Sequence, residues 1–302
     1  MRRNTTLVVI GVVALLLAAA IWLASHSPGF LAGGEERSLR EVVDMTSRPI
    51  RIPKRPVRIL SLCTSAADTI VATGAADRLV AVDEFSRVVP GTERAMVVGK
   101  GSAVSREQVA ALGVDLAFVW WYQDDVAVML EDLAVPVVRI RSGRAADLPA
   151  MIRLIGDCVD SREAADRAAE QAASFLAKAP PRPARNAQRV FLELYGPLKT
   201  VGRETYTNDL LELAGARNVA DGATGTVLFS MERLVQADPD VILVVGGPLE
   251  RAGLAARPGM TALRAVRRGR VLALDRYWLV AGPQMPQAVE RIRKSISESP
   301  SP

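Results

Sequence analysis

Short apolar runs alternate with helix-forming segments along most of the chain. The apolar run Val57–Leu62 is followed by the polar break Cys63-Thr64-Ser65 and then by the helix-forming run Ala66–Thr73. Gly74 closes this run, and Leu79–Val82 is apolar again. The order predicts a parallel β-α-β unit. Ligands of α/β folds bind at the loops that follow the carboxyl ends of such strands, so we expect binding loops here.

The same alternation continues to residue 147. Ser105–Leu112 carries Ser105 as an N-cap and Gln108 in the capping-box position, which predicts a short helix. A buried strand, Asp115–Val119, comes next, and a further strand is predicted at Pro136–Ile140. We therefore assign residues 57–147 to a first α/β lobe.

An alanine-rich segment with charges on one face follows, Leu148–Lys178. Its pattern predicts one long helix with a break near Asp157–Ser161. The run Pro180-Pro181-Arg182-Pro183 ends it, because proline cannot continue a helix. We assign residues 148–180 to a long, rigid connecting helix.

A second lobe is predicted over residues 188–297, and it repeats a feature of the first. Ser105-Arg106-Glu107 stands ten residues before Asp115, and Ser230-Met231-Glu232 stands ten residues before Asp240. Each aspartate leads into an apolar strand. An internal repeat on both sides of the connecting helix predicts a two-lobed, pseudo-symmetric α/β protein.

Residues 1–27 form a predicted targeting segment. Arg2-Arg3 supplies a positive end, and Leu7–Ala24 contains no polar side chain. This run exceeds the roughly 7–15 apolar residues of a cleaved signal peptide and reaches the ~18 of a membrane span. Export to the periplasm or another extracytoplasmic space is predicted, either as a cleaved chain or tethered to the inner membrane. No cysteine follows the run, which excludes a lipoprotein anchor.

Residues 28–56 are a lead-in to the first lobe. They contain glycine, arginine and proline, and a short hairpin is predicted at Val42–Ile52.

Composition narrows the function further. The net charge of +5 over 302 residues is dispersed, without the basic stripe of a nucleic-acid-binding protein. The one histidine, His26, lies beside the targeting segment, so a metal-ion receptor or a His-dependent hydrolase lacks its usual side chain. Cys63 and Cys158 have no metal or redox spacing; separate thiols are favoured over a disulfide. We predict no catalytic residue, no metal and no cofactor.

Several motifs resemble the periplasmic binding proteins for cobalamin, iron-siderophores and haem. Ser61-Leu62 with Ser65-Ala66, and Gly74–Val80, resemble the opening of that family, and Asn208–Val219 resembles its second-lobe signature. Ser230-Met231-Glu232 and Ala237–Ile242 are similar to the helix and strand that follow. Val245–Pro248 and the region of Trp278 are similar to the cobalamin-binding member. The likeness covers about Arg55 to Ile296, although Cys63-Thr64 replaces the usual Ser-Pro and the leader is long.

The resemblance implies a fold and a role. Two Rossmann-like lobes joined by a rigid helix would hold a ligand in the cleft between them. The protein would be a monomer that delivers cobalamin, a ferric siderophore or haem to an ABC permease with a cytoplasmic ATPase. Two rivals remain: a membrane-anchored sensor of the same fold, and a Rossmann-like enzyme. The enzyme is disfavoured because no Gly-x-Gly-x-x-Gly follows a strand and Cys63 has no histidine to activate it.

Candidate ligand-binding residues follow from the position of the scarce aromatic residues at predicted strand ends. Such a cluster favours a large, flat organic ligand, whereas core packing would scatter the rings along strands and helices. Cations in the loops could pair with an anionic ligand or simply be solvated. The candidates are Cys63, Thr64, Phe85, Lys100, Trp120, Trp121, Tyr122, Tyr195, Gly246, Gly247, Arg276, Tyr277 and Trp278.

Glu107 and Glu232 are candidates for permease docking. Each stands in the first turn of a predicted helix, where a carboxylate stabilises the helix dipole by about 0.3–1 kcal/mol. The resemblance implies that they are one surface carboxylate per lobe, facing arginines of the permease. Their equivalent places in the repeat favour docking over a purely structural role.

Overall fold

Two parallel sheets, one in each lobe, organise the computed structural model, which describes residues 38–180 and 183–298. Their inner strands are buried apolar segments, as expected where helices cover both faces of a sheet, whereas the edge strand Met96–Val97 is exposed. The first sheet has the spatial order Met96–Val97, Leu79–Val82, Ile59–Ser61, Leu116–Trp120 and Val137–Ile140. The second has the order Arg217–Asn218, Arg189–Glu193, Val241–Val245 and Val271–Leu274.

The first lobe confirms the predicted β-α-β unit. Strands Ile59–Ser61 and Leu79–Val82 are parallel neighbours, with Leu60 opposite Ala81. The helices of this lobe are Thr64–Ala72, Arg106–Leu112 and Asp124–Asp132, and a short hairpin joins Gly99–Lys100 to Ala103–Val104.

The second lobe follows the same plan. Its helices are Tyr206–Leu213, Met231–Ala237, Pro248–Ala255, Arg264–Arg267 and the final helix Met285–Ser297. An antiparallel pair, Lys199–Val201 with Thr226–Leu228, forms a small separate sheet, and the helix Tyr206–Leu213 lies between its two strands in the chain. The predicted two-lobed α/β architecture is therefore present.

The sequence repeat corresponds to a structural repeat. Ser105 and Ser230 cap equivalent helices, since each hydroxyl accepts a hydrogen bond from the backbone three residues later. Asp115 accepts hydrogen bonds from the backbone N–H groups of Val57 and Arg58, at the start of the central strand of its sheet. Asp240 accepts the equivalent bond from Arg189 N, at 2.9 Å. The two aspartates therefore join equivalent strands in both lobes.

The connecting segment differs from a single long helix. It consists of two helices, Leu148–Cys158 and Arg162–Lys178, separated at the predicted break. Asp160 has a positive φ of 54° at this break. The helices pack closely against each other: a Cβ added to Gly156 would lie 2.0 Å from the Cβ of Ala165. The single rigid helix is thus corrected to a packed helix pair.

The predicted lead-in hairpin is present as Leu39–Val43 and Pro49–Pro53, with Val42 opposite Ile50. Arg40 Nη1 lies 2.8 Å from Asp157 Oδ2 and ties this hairpin to the linking helices. The targeting segment lies outside the described residues. Among the helices that are described, none combines the length and the hydropathy that crossing a bilayer requires.

A shared apolar core underlies both lobes. From Leu39 onward the chain forms one compact unit. Its largest buried cluster combines first-lobe residues such as Phe118 with second-lobe residues such as Leu210. Met151 and Ile155 of the first linking helix and Val289 of the final helix complete it. The lobes are therefore packed on one another beneath the cleft.

Candidate functional site

A cleft of about 780 Å³ opens between the lobes at the carboxyl ends of both sheets. That volume lies within the ~300–1,000 Å³ of typical ligand pockets. Four parallel strands of the first lobe each contribute the loop that follows them. The lining residues are Thr64, Ser65, Phe85, Val88, Trp120, Tyr122, Ser142, Gly143, Leu194, Tyr195, Lys199, Val201, Glu204, Thr205, Tyr206, Thr207, Thr226, Arg276, Leu279, Val280 and Ala281.

Aromatic rings form the walls of this cleft. Trp120 and Tyr122 are stacked, with centroids 6.4 Å apart and planes within 5°. Tyr122 and Tyr195, one from each lobe, both expose about 60% of their surface. Partial burial raises the pKa of Tyr122, and the ionisable groups of Cys63 and Tyr195 add to this shift. Flat apolar faces from both lobes can therefore enclose a flat ligand.

Polar groups line the remaining surface. Threonine and serine hydroxyls come from both lobes, and Lys199 and Arg276 bring positive charge. Lys199 Nζ lies 5.9 Å from the centroid of the Tyr195 ring. Within residues 38–180 and 183–298, Arg276 has no hydrogen bond or ion pair, so its charge is available to a ligand.

Six of the thirteen predicted ligand-binding residues line the cleft: Thr64, Phe85, Trp120, Tyr122, Tyr195 and Arg276. Lys100 lies beside the lining, 5.5 Å from the Phe85 ring and 3.2 Å from Glu84 Oε1. The other six lie behind or beside the cleft.

Cys63 is completely buried at the start of helix Thr64–Ala72. Burial raises the pKa of its thiol, and that of Cys158, to about 12. Both cysteines are free in the structure, as the separate-thiol interpretation predicted. Neither thiol has the exposure or the low pKa of a reactive cysteine.

Trp121, unlike its neighbour Trp120, is not among the residues that line the cleft. It is 44% exposed and lies 5.1 Å from the Arg141 guanidinium. Alternation along the strand end sends adjacent side chains to opposite faces, which separates the two tryptophans. Trp121 is thus an exposed residue beside the cleft, and its ring makes an edge contact with the lining residue Tyr122.

Tyr277 and Trp278 stand behind the second-lobe wall and pack against the shared core. Gly246 and Gly247 lie beside a smaller depression of about 440 Å³, which shares Tyr195 and Arg276 with the main cleft. Gly247 N donates a hydrogen bond to Glu250 Oε2 at 2.8 Å. These four residues support or adjoin the cleft rather than line it.

Sequence reasoning missed most of the second-lobe wall. Lys199, Val201 and Thr226 of the antiparallel pair line the cleft, as do Glu204–Thr207 and Leu279–Ala281. None was among the predicted ligand-binding residues, and Tyr206 was missed although it is aromatic. Glu204 has a positive φ of 61°, a backbone conformation usually adopted by glycine. Because a glutamate occupies this position, the sequence gives no sign of the bend.

Two polar contacts join the lobes at the base of the cleft. Tyr277 Oη donates a hydrogen bond to Asp68 Oδ1 at 3.0 Å. Arg144 binds Asp209 through two nitrogens, at 2.8 and 2.9 Å, and Ala145 N donates to the same carboxylate at 2.7 Å. Burial raises the pKa of Asp68 to about 6, although the bond from Tyr277 opposes the shift.

The predicted docking glutamates occupy equivalent places. Glu107 and Glu232 are exposed and each stands in the first turn of its helix.

Metal-binding groups were also sought. Among the described residues, no three His, Cys, Asp or Glu side chains are grouped so that they could hold a metal ion.

Two similar α/β lobes, a shared core and a cleft between facing strand ends define a two-lobed ligand-binding protein. The sequence model of a family described as periplasmic binding protein matches residues 59–277. The chain belongs to this family, whose members are non-enzymatic components of transport systems.

Individual relatives agree with this assignment. The chain is 27% identical over 300 residues to the uncharacterized ABC transporter substrate-binding lipoprotein YvrC of Bacillus subtilis, covering 94% of this chain and 95% of that protein. It is similar to the periplasmic haem-binding protein RhuT from Roseiflexus, with a TM-score of 0.71, 26% identity and coverage of 79% and 97%. It is also similar to a periplasmic haem-binding protein from Pseudomonas aeruginosa, with a TM-score of 0.70 and 27% sequence identity. That comparison covers 82% of this chain and 95% of the Pseudomonas protein.

Proposed function

We propose that this protein captures a large, flat organic ligand of the haem, cobalamin or ferric-siderophore class and delivers it to the permease of an ABC importer. A cytoplasmic ATPase supplies the energy for transport. The protein acts as an extracytoplasmic monomer and catalyses no reaction. Whether it is free or tethered by its leader does not alter the capture step.

One observation carries this proposal: the cleft is walled by aromatic rings from both lobes. The Trp120–Tyr122 stack faces a second-lobe wall that contains Tyr195. An aromatic stacking contact contributes about 0.5–1.5 kcal/mol beyond the free energy of burying the same apolar area. A planar macrocycle or a catechol-bearing ligand would make such contacts on both of its faces.

The charge of the cleft supports an anionic ligand within this class. Arg276 and Lys199 are both at the second-lobe wall, and Glu204 is the one acidic side chain among the lining residues described. Carboxylate groups on a tetrapyrrole, or the anionic groups of a ferric siderophore, would pair with these cations. The names of the RhuT and Pseudomonas relatives, both haem-binding, support haem as the first ligand to test.

Docking is proposed to involve one glutamate from each lobe. Glu107 and Glu232 lie on equivalent exposed helix starts. A two-fold permease presents the same surface twice, so two equivalent carboxylates suit two equivalent cationic patches.

The test is a titration of full-length protein with haemin, cyanocobalamin and a ferric hydroxamate siderophore. Binding is followed by the absorption spectrum of each probe and by quenching of tryptophan fluorescence. We expect saturable one-to-one binding of one probe, and the same chromophore in protein purified from its native host. Failure of all three probes to bind, with a colourless protein from the host, would refute the proposed ligand class.

A further inference from the structure

The two contacts at the base of the cleft have the same arrangement. In each, a buried carboxylate of one lobe bonds a side chain of the other. Asp68 belongs to the first lobe and is 3% exposed, whereas Asp209 belongs to the second and is 8% exposed. Their partners, Tyr277 and Arg144, come from the opposite lobe in each case.

Each contact also stands directly behind residues that line the cleft. Asp68 lies one helical turn after Thr64 and Ser65, and Tyr277 lies next to Arg276. Arg144 follows Ser142 and Gly143, and Asp209 is in the first turn of the helix that begins at Tyr206. A movement of either contact would therefore move lining residues of both lobes.

We propose that Asp68–Tyr277 and Arg144–Asp209 are positioning contacts that set the distance and angle between the two walls of the cleft. The shared core beneath them is apolar, and apolar packing is not directional. Hydrogen bonds have preferred distances and angles, so these two contacts fix the relative position of the lobes, which apolar packing alone does not determine. This inference goes beyond the proposed function and requires no particular ligand.

The surroundings of Asp68 show how closely the lobes meet there. A Cβ added to Gly282 of the second lobe would lie 2.0 Å from Asp68 Oδ2, so a larger residue there would require Asp68 to move. The backbone N–H of Gln284, also from the second lobe, counteracts part of the rise in the Asp68 pKa. The titratable groups that face Asp68 are the phenols of Tyr277 and Tyr206, both from the second lobe. No charged side chain of the described elements contributes to its pKa shift.

This burial links the contact to pH. The second lobe covers the Asp68 carboxyl, and burial raises its pKa to about 6. A carboxyl that is harder to ionise when covered favours the covered arrangement once it is protonated. Closer apposition of the lobes is therefore expected at pH 5 than at pH 7.5. Asp83 also has a raised pKa, but its hydrogen bonds to Ser86 stay within the first lobe.

The test measures the distance between the lobes without a ligand. Nitroxide labels are attached at Gln108→Cys and Gln236→Cys, both exposed, in the full-length chain. Cys63 and Cys158 are buried thiols with a raised pKa, so labelling is confined to the introduced sites. Double electron–electron resonance then gives the distribution of distances.

We expect Tyr277→Phe and Arg144→Gln each to broaden this distribution and lengthen its mean, and the double variant to do so further. Arg257→Gln is the matched control for Arg144→Gln. Arg257 Nη1 lies 2.7 Å from Oε2 of Glu193, a buried carboxylate of the same lobe, so the loss of this ion pair should leave the distance unchanged. Unchanged distributions in both single variants and in the double variant would overturn the proposal. Equal effects of Arg257→Gln and Arg144→Gln would overturn it as well.

The pH dependence of the distance between the labels tests the role of Asp68 separately. The distance in the parent protein should lengthen between pH 5 and pH 7.5, and Asp68→Asn, which keeps an oxygen acceptor for Tyr277, should abolish that change. A pH-independent distance in the parent would contradict the role of Asp68. Because no probe is added, a failure here is distinguishable from a failure to bind haemin, cyanocobalamin or a siderophore.

Discussion

Adjacent residues in this protein have opposite surroundings, and Trp120 and Trp121 show it best. Both stand at the predicted strand end, so the sequence marks the position of the site. It does not reveal which ring turns inward, because that depends on the exact residue at which the strand ends. The structure places Trp120 in the lining and Trp121 outside it, exposed beside Arg141.

Trp120→Ala should therefore weaken ligand binding by about 1–3 kcal/mol, the scale of a buried aromatic anchor. Trp121→Ala is the matched control, with the same chemical change one residue away, and should leave the dissociation constant within a factor of two or so. Isothermal titration with the probe that binds in the proposed titration gives both values. A larger loss in the Trp121 variant would reverse our assignment of the two faces.

A second prediction concerns the free energy of unfolding and Asp68. The folded state holds the Asp68 proton up to about pH 6, whereas the ordinary carboxyl value is 3.8. Between these values the folded state binds more protons than the unfolded state, so stability falls as pH rises. The difference corresponds to about 3 kcal/mol. Asp68→Asn should remove this slope and be the more stable protein at pH 7, as measured by urea unfolding from pH 4 to pH 7.5.

Secondary-structure elements were predictable where they are long or have a capping signal. The β-α-β unit and the helices capped by Ser105 and Ser230 are present. The antiparallel pair Lys199–Val201 with Thr226–Leu228 was missed, because three-residue strands carry too few positions for an alternating pattern. That pair supplies Lys199, Val201 and Thr226 to the second-lobe wall, so the site was predicted less completely than the fold.

The linking helices give a prediction at this scale. Gly156→Ala places a methyl group against Ala165 and should lower the free energy of unfolding by about 1–3 kcal/mol. Gly253→Ala is the control, a helical glycine with no atom within 4 Å of the added Cβ. It should raise stability by about 0.5–1 kcal/mol, since alanine favours the helix. Thermal or urea unfolding measures both, and equal effects would contradict the close packing.

At the scale of the whole molecule, docking to a permease should be separable from ligand capture. Glu107→Arg and Glu232→Arg, singly and together, should reduce uptake in reconstituted vesicles, because reversed charge replaces attraction by repulsion. Ligand affinity should not change, since neither residue lines the cleft. Glu163→Arg is the control, an exposed first-turn carboxylate on the second linking helix and outside the repeat. Full uptake by the double variant would leave the two glutamates as helix-start carboxylates only.

The core that both lobes share has a consequence for the order in which the chain can fold. The buried cluster that contains Phe118 and Ile140 of the first lobe also contains Leu210 of the second lobe and Val289 and Ile292 of the final helix. A chain that crosses a membrane N-terminus first therefore presents part of its core to water until the last helix has emerged. Chaperones on the far side of the membrane would have to shield that surface during this interval. A chain that ends before Met285 lacks the final helix, so that part of its core would stay exposed to water.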